Sequence, residues 1–340
     1  MASATFDPAI AEANPADRVI EFPDNRLLID LCGGFDRNLA ALEAGFDIVI
    51  ARRGNRLALH GPEDGVAAAA TALQSLYERL EQGRAVEHGD VEAAIRMKGA
   101  PPVADPGQLE LFRGGRVEIR TRRRVVEPRT ATQAEYVRSL FRSELVFGIG
   151  PAGTGKTYLA VAAAVAMFTE GKVDRIVLSR PAVEAGERLG FLPGDMKEKI
   201  DPFMQPLYDA LGDLLPARQV QKYIEDKVIE IAPLAFMRGR TLSNAFVVLD
   251  EAQNATEMQM KMFLTRLGEG GRMAITGDPS QIDLPRGVGS GLVEATRVLE
   301  GVPGIEFAHF TAEDVIRHPL VAKIVKAYDA DRRKGATPGK

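Results

Sequence analysis

The spacing of apolar positions divides the chain into stretches of different character. Residues 1–20 mix small and acidic residues with two prolines and hold no sustained period, so a flexible leader is expected there. From Asn25 the pattern becomes a compact α/β alternation. Leu27–Leu31 reads as a strand, and Asp36–Ala44 as a helix carrying Leu39 and Leu42 at helical spacing. Phe46–Ile50 and Arg56–His60 are β-rich runs about a turn at Arg53-Gly54-Asn55, and Pro62–Glu81 carries Val66, Ala69, Leu73, Leu76 and Leu80 on one helical face. Between Gly99 and Pro128 the chain turns rich in Pro, Gly and Arg, as a domain boundary does. Beyond Thr132, five short β-branched runs alternate with helical stretches: Leu145–Ile149, Arg175–Leu178, Val228–Ile231, Phe246–Leu249 and Arg272–Ile275. A sixth, Ile305–Phe310, follows. Alternation of this kind predicts an α/β fold with a buried, largely parallel sheet and helices on both faces.

Length supports two domains, since 340 residues exceed the roughly 250–300 at which a single core stops growing. A composition 45% hydrophobic and 26% charged excludes a disordered, collagen-like or coiled-coil chain. Neither a signal core nor an apolar run of ~18 residues is present, so no membrane role and a cytoplasmic location are expected. The lone Cys32 cannot form an internal disulfide, and four scattered histidines have no zinc spacing. The net charge of −4 is too balanced for a general nucleic-acid coat. A local patch stands out instead: residues 113–124 hold six arginines against the single acid Glu118. Arg113, Arg116, Arg120, Arg122, Arg123 and Arg124 make either an RNA-binding run or a solvated, charge-guarded edge.

Candidate chemistry begins where the first strand of the second domain empties into Gly150-Pro151-Ala152-Gly153-Thr154-Gly155-Lys156-Thr157 and then a helix-prone run. Gly153 and Gly155 let the backbone turn its N–H groups toward phosphate oxygens, and the helix N-terminus adds its positive dipole end. Lys156 is placed to reach the β and γ phosphates of ATP, and the Thr157 hydroxyl to ligate Mg²⁺. Asp250 and Glu251 end another buried run, at the sheet edge where such folds bind ligands. Asp250 is expected to hold Mg²⁺ through water, and Glu251 to deprotonate the attacking water. Gln281, in Gly277-Asp278-Pro279-Ser280-Gln281, is a candidate γ-phosphate sensor, with an ordinary turn as the alternative. Gln133 lies upstream at a spacing that allows its amide to read adenine.

Together these residues are similar to the nucleotide-binding core of superfamily 1 helicases, and more closely resemble the PhoH-like P-loop ATPases. The resemblance also rests on Ser179–Glu187 with Leu189–Gly194, on Leu249–Asn254, on Gly277–Asp283 and on Arg317–Val321. It implies a RecA-like domain over residues 129–330 and a small KH-like domain over 21–98. A basic linker over 99–128 joins them, and a flexible tail spans 331–340. It further implies an ATPase tied to RNA metabolism or phosphate starvation, with an endoribonuclease as possible partner. A KH domain clamps single-stranded nucleic acid with Gly-x-x-Gly, but here the loop is Gly33-Gly34-Phe35-Asp36. Asp36 sets a negative charge where a phosphate would pass, so a scaffold for protein contacts is the alternative.

Two functions from different classes fit: a Mg²⁺-dependent ATPase working on RNA or an RNA-processing partner, and an ATP-occupancy switch with little turnover. A kinase would want an acceptor pocket and lid, for which no signal exists. A conventional helicase would need a second RecA-like domain, and only about sixty residues follow Gln281. An arginine finger would then come from a neighbouring subunit of a homo-oligomeric ring, which the family likeness makes a hexamer. Arg317 is the first candidate and Arg286 the second.

Overall fold

Arg18–Glu21, largely inside the expected leader, forms strand β1. Its backbone pairs antiparallel with β3 (Arg56–His60), Arg18 opposite Leu59 and Glu21 opposite Arg56, and Phe22 turns into the core behind it. The run Leu27–Leu31, expected as a strand, is helical: α1 spans Asn25–Cys32. Leu28, Leu31 and Cys32 are its buried residues, an i, i+3, i+4 set that fits one helical face, and Asp24 caps it by accepting from the Arg26 N–H at 2.7 Å. The next helix, α2, begins at Arg37 rather than Asp36 and runs to Phe46. Strand β2 (Val49–Arg53) pairs with β3 across the expected turn, and α3 (Glu63–Glu81) follows as read. Helix α4 (His88–Arg96) has no strong pattern in the sequence, because Val91 is its one fully buried side chain.

The chain resolves into two compact units, Met1–Pro101 with Arg129–Ala131, and Pro102–Pro128 with Thr132–Lys340. A computed structural model describes residues 18–97, 117–181 and 196–316. In the first unit the β1-β3-β2 sheet is covered by helices around Leu28, Leu42, Phe46, Leu57, Leu59 and Leu73, all at most 1% exposed. Each such side chain contributes about 1.5–3 kcal/mol by leaving water. The order β-α-α-β-β-α, with the Gly33–Asp36 loop between α1 and α2, is the small KH-like α/β domain expected.

In the second unit the last part of the expected linker is folded. Strands β4 (Ile119–Arg120) and β5 (Val125–Val126) make a hairpin anchored by buried Val117, Ile119 and Val126, with Arg122–Arg124 at its tip. Helix α5 (Ala131–Arg142) leads into β6 (Leu145–Ile149), α6 (Lys156–Thr169) and β7 (Arg175–Arg180). Helices α7 (Met196–Leu214) and α8 (Ala217–Glu225) precede β8 (Ile229–Pro233) and β9 (Ala245–Leu249). Then come α9 (Glu257–Leu264), β10 (Arg272–Gly277), α10 (Gly291–Leu299) and β11 (Ile305–His309). All six expected runs are strands of one parallel sheet, ordered β11-β6-β10-β9-β7-β8. The chain leaves β6 toward one side of the sheet and returns to β11 on the other. The carboxyl end of β6 is therefore the switch point at which open α/β sheets bind ligands. Among the described residues, no helix is long and apolar enough to cross a membrane.

Candidate nucleotide site

At that switch point the loop after β6 is held by its neighbours. The Gly150 N–H donates to Gly277 O at 3.1 Å, tying it to β10. Gly150 has φ +145°, and a Cβ there would lie 2.3 Å from Phe310 O, so the chain can pass only as glycine. Gly150→Ala should destabilise the protein by about 2–4 kcal/mol, from overpacking plus positive-φ strain. A denaturation midpoint equal to the parent's would refute that packing argument. At the other end Gly155, with φ +81°, turns the chain into α6, whose first residue is Lys156.

Lys156 is 7% exposed. Its ammonium donates to Gly150 O at 2.6 Å, Pro151 O at 2.7 Å and Thr154 Oγ1 at 3.2 Å. Burial pushes its pKa down, while the charges of Asp278, Asp250 and Glu251 pull it back up. Thr154 is fully buried and donates through Oγ1 to Pro151 O at 3.0 Å. A lysine whose donors face only loop oxygens can transfer them to a phosphate without breaking an ion pair.

Sheet order sets the acidic pair beside the loop, one strand removed from β6. Asp250, 3% exposed, accepts from Thr157 Oγ1 at 2.5 Å and Thr276 Oγ1 at 2.8 Å through Oδ1. Through Oδ2 it accepts from Arg180 Nε at 2.8 Å, and Arg180 Nη2 lies in ion-pair contact with the same oxygen at 2.7 Å. Arg180 Nη2 also lies 3.4 Å from Glu251 Oε1, and Nη1 donates to Phe203 O at 2.8 Å. Removing one partner of such a buried pair typically costs about 3–5 kcal/mol. Glu251 sits in the left-handed region at φ +53°, and its Oε2 accepts from Gln253 Nε2 at 2.6 Å. Asp278 N–H donates to Gln253 Oε1 at 3.0 Å, which fixes the orientation of that amide.

Asp278 links this group back to the phosphate loop. Its carboxylate accepts from Ala152 N–H at 3.1 Å, Gln281 Nε2 at 2.7 Å and Ser280 Oγ at 2.7 Å. Burial works to raise its pKa, but donations from Ser280, Gln281 and Ala152 outweigh it and hold the carboxyl below its ordinary value. A hydrogen-bonded circuit thus runs from Ala152 through Asp278, Gln253, Glu251, Arg180 and Asp250 to Thr157. It encloses the end of the phosphate loop. An open groove of about 370 Å³ adjoins it, lined by Thr157, Tyr158, Arg180, Asp209, Asp213 and Asp250.

The expected residues therefore converge, with adjustments. Gly150, Pro151, Ala152, Gly153, Thr154, Gly155, Lys156 and Thr157 form the loop, and Asp250 and Glu251 face it. Gln281 turns its amide to Asp278. Gln133, 3% exposed, donates through Nε2 to Thr154 O at 2.8 Å, so that donor is turned to the loop's own backbone. Arg317, and the greater part of the segment Ser179–Gly194, lie outside the described residues. No role for Arg180, Gln253, Thr276 or Phe310 is legible in the sequence alone. The first signal available was the arginine that ends a buried run directly before Pro181. Thr157 and Asp250 offer hard oxygen ligands of the kind Mg²⁺ takes, and no cluster of three His, Cys, Asp or Glu exists among the described residues.

The Arg122–Arg124 tip packs near the same site. Arg123 donates to Gly212 O, and Arg124 lies 3.4 Å from Tyr158 Oη and 3.3 Å from Asp213. In the small unit, the Gly33–Asp36 loop, at the place where a KH domain carries its clamp, holds Phe35 fully exposed at φ +57°. Asp36 lies 3.6 Å from the Arg52 guanidinium, so its charge is matched from within the unit.

Residues 125–329 match the PhoH-like protein family. Over 310 residues the chain is 49% identical to a PhoH-like protein of Bacillus subtilis (strain 168), spanning 90% of this chain and 95% of that one. Over 313 residues it is 42% identical to a PhoH-like protein of Synechocystis, spanning 91% and 94%. Among solved structures, the UvsW helicase from bacteriophage T4 is similar with a TM-score of 0.35 at 14% identity, over 57% of this chain and 64% of that one.

Proposed function

Since this chain belongs to the PhoH-like protein family, a P-loop nucleotide-binding fold, we infer that it is a Mg²⁺-dependent ATPase whose hydrolysis acts on RNA or on an RNA-processing partner. The observation that carries this reading is the contact of Thr157 with Asp250 at 2.5 Å beside a second acid, Glu251, that is braced at both oxygens. A binding loop alone needs no such second acid.

In this reading Lys156 leaves the loop carbonyls for the β and γ phosphates, and the loop N–H groups cradle them. Thr157 and Asp250 hold Mg²⁺, which when bound neutralises charge developing on the phosphates. Glu251 takes the proton of the attacking water, and the circuit through Gln253 and Asp278 keeps that carboxylate aimed. Gln281, released from Asp278, positions the water or senses the γ-phosphate, and Gln133 is the candidate reader of adenine. The alternative from a different class is an ATP-occupancy switch with little turnover, which would need no base at position 251. Phosphate release measured beside nucleotide binding separates the two.

RNA enters through the arginine tip. Replacing Arg122, Arg123 and Arg124 by Ala should weaken binding of single-stranded RNA and flatten its salt dependence, by about 0.7 in the log–log slope for each phosphate that an arginine no longer neutralises. An unchanged slope in a salt titration would return the tip to a solvated edge. The endoribonuclease partner and the hexameric ring rest on family likeness, with Arg317 as the finger a neighbour would supply and Arg286 behind it.

A further inference from the structure

We propose that Arg180 is a cation latch: without nucleotide its guanidinium supplies the positive charge on Asp250 and Glu251, and Mg²⁺ must compete with it for the same carboxylate oxygens. This rests on the assignment of Asp250 to the metal site, and concerns how that site is kept closed.

The stoichiometry of donors carries it. A carboxylate has about four lone-pair positions, and Asp250 is engaged on both oxygens: Oδ1 accepts from Thr157 and Thr276, while Oδ2 accepts from Arg180 Nε with Nη2 in ion-pair contact beside it. The two sides differ in kind. Thr157 and Thr276 are hydroxyls that can rotate, and Thr157 can turn from donor to ligand without leaving its place. Arg180 carries a fixed charge, cannot be deprotonated and has no acceptor to offer a metal. A divalent cation arriving at Asp250 therefore meets a like charge on Oδ2, which has to let go first.

Arg180 is built to let go without leaving. It ends β7, and its Nη1 holds Phe203 O on α7 at 2.8 Å, a leg that does not depend on the acids. The neighbouring groove leaves room for the guanidinium to swing, and Asp209 on its wall offers a carboxylate to receive it. The same Nη2 that holds Asp250 reaches Glu251, so release frees an oxygen on the metal acid and on the base together. The latch thereby links cation entry to readiness of the base.

The test uses the full chain without nucleotide, titrated with Mg²⁺ alone and followed by thermal unfolding midpoint and by calorimetric binding. The parent should respond little. Arg180→Gln, which keeps donors but removes the charge, should gain a saturable Mg²⁺-dependent rise in midpoint, and adding Asp250→Asn should abolish that rise. With ATP present, the half-saturating Mg²⁺ concentration of Arg180→Gln should fall about tenfold, within the range of linked binding equilibria. A folded Arg180→Gln that responds to Mg²⁺ no more than the parent overturns the latch. Should that variant not fold, Arg180→Met, which removes the charge and keeps much of the side chain's length, takes its place, and a Mg²⁺ response equal to the parent's overturns it equally. Absence of ATP binding by the parent would instead remove the nucleotide-site reading, leaving the titration with Mg²⁺ alone to decide the latch by itself.

Discussion

Glu251→Gln should bind Mg²⁺–ATP about as tightly as the parent and hydrolyse it about 10²–10⁴-fold more slowly, the usual contribution of a positioned base. The carboxylate is oriented from two sides, by Arg180 at Oε1 and by Gln253 at Oε2. Gln253 cannot flip to suit a glutamine at 251, because its Oε1 is committed to the Asp278 N–H. The variant thus loses the base and faces one donor with another. It keeps the loop, Lys156 and Asp250, which is why binding survives. Equilibrium nucleotide binding and phosphate release on the same preparation check it, and turnover equal to the parent's would remove Glu251 from the role of base.

Lys156→Ala is expected to lose ATP binding, by a hundredfold or more if two charge-assisted hydrogen bonds of about 1.5–3 kcal/mol each disappear. The ammonium also braces the loop itself, through Gly150 O, Pro151 O and Thr154 Oγ1. A modest fall in thermal midpoint should therefore accompany the weaker affinity. Affinity unchanged in a direct binding measurement would mean that the lysine keeps facing loop carbonyls when nucleotide is present.

The phosphate loop and the acidic pair were legible because their chemistry is local. A loop that turns N–H groups to phosphate needs glycines, a lysine and a hydroxyl within a few residues, and the strand before it and helix after it have their own periods. Arg180 was not legible in the same way. Its role depends on β7 lying beside β9, a pairing of strands about seventy residues apart that no local pattern encodes. Spacing sets Gln133 within reach of the phosphate loop, but its partner there, Thr154 O, is a backbone atom that spacing cannot identify. Leu27–Leu31 misleads because a short apolar run fits strand and helix alike, and the burial of Leu28, Leu31 and Cys32 decides it. The β4–β5 hairpin is hidden by its own tip, where consecutive arginines mask the buried Ile119 and Val126 that anchor it.

The most direct test of an ATPase working on RNA is the rate of phosphate release by the full chain at saturating Mg²⁺–ATP, with and without single-stranded RNA of several lengths. Turnover that depends on Glu251, rises with RNA and loses that rise when Arg122, Arg123 and Arg124 become Ala is the result expected. A rate indifferent to RNA at every length, or one untouched by Glu251→Gln, would contradict it.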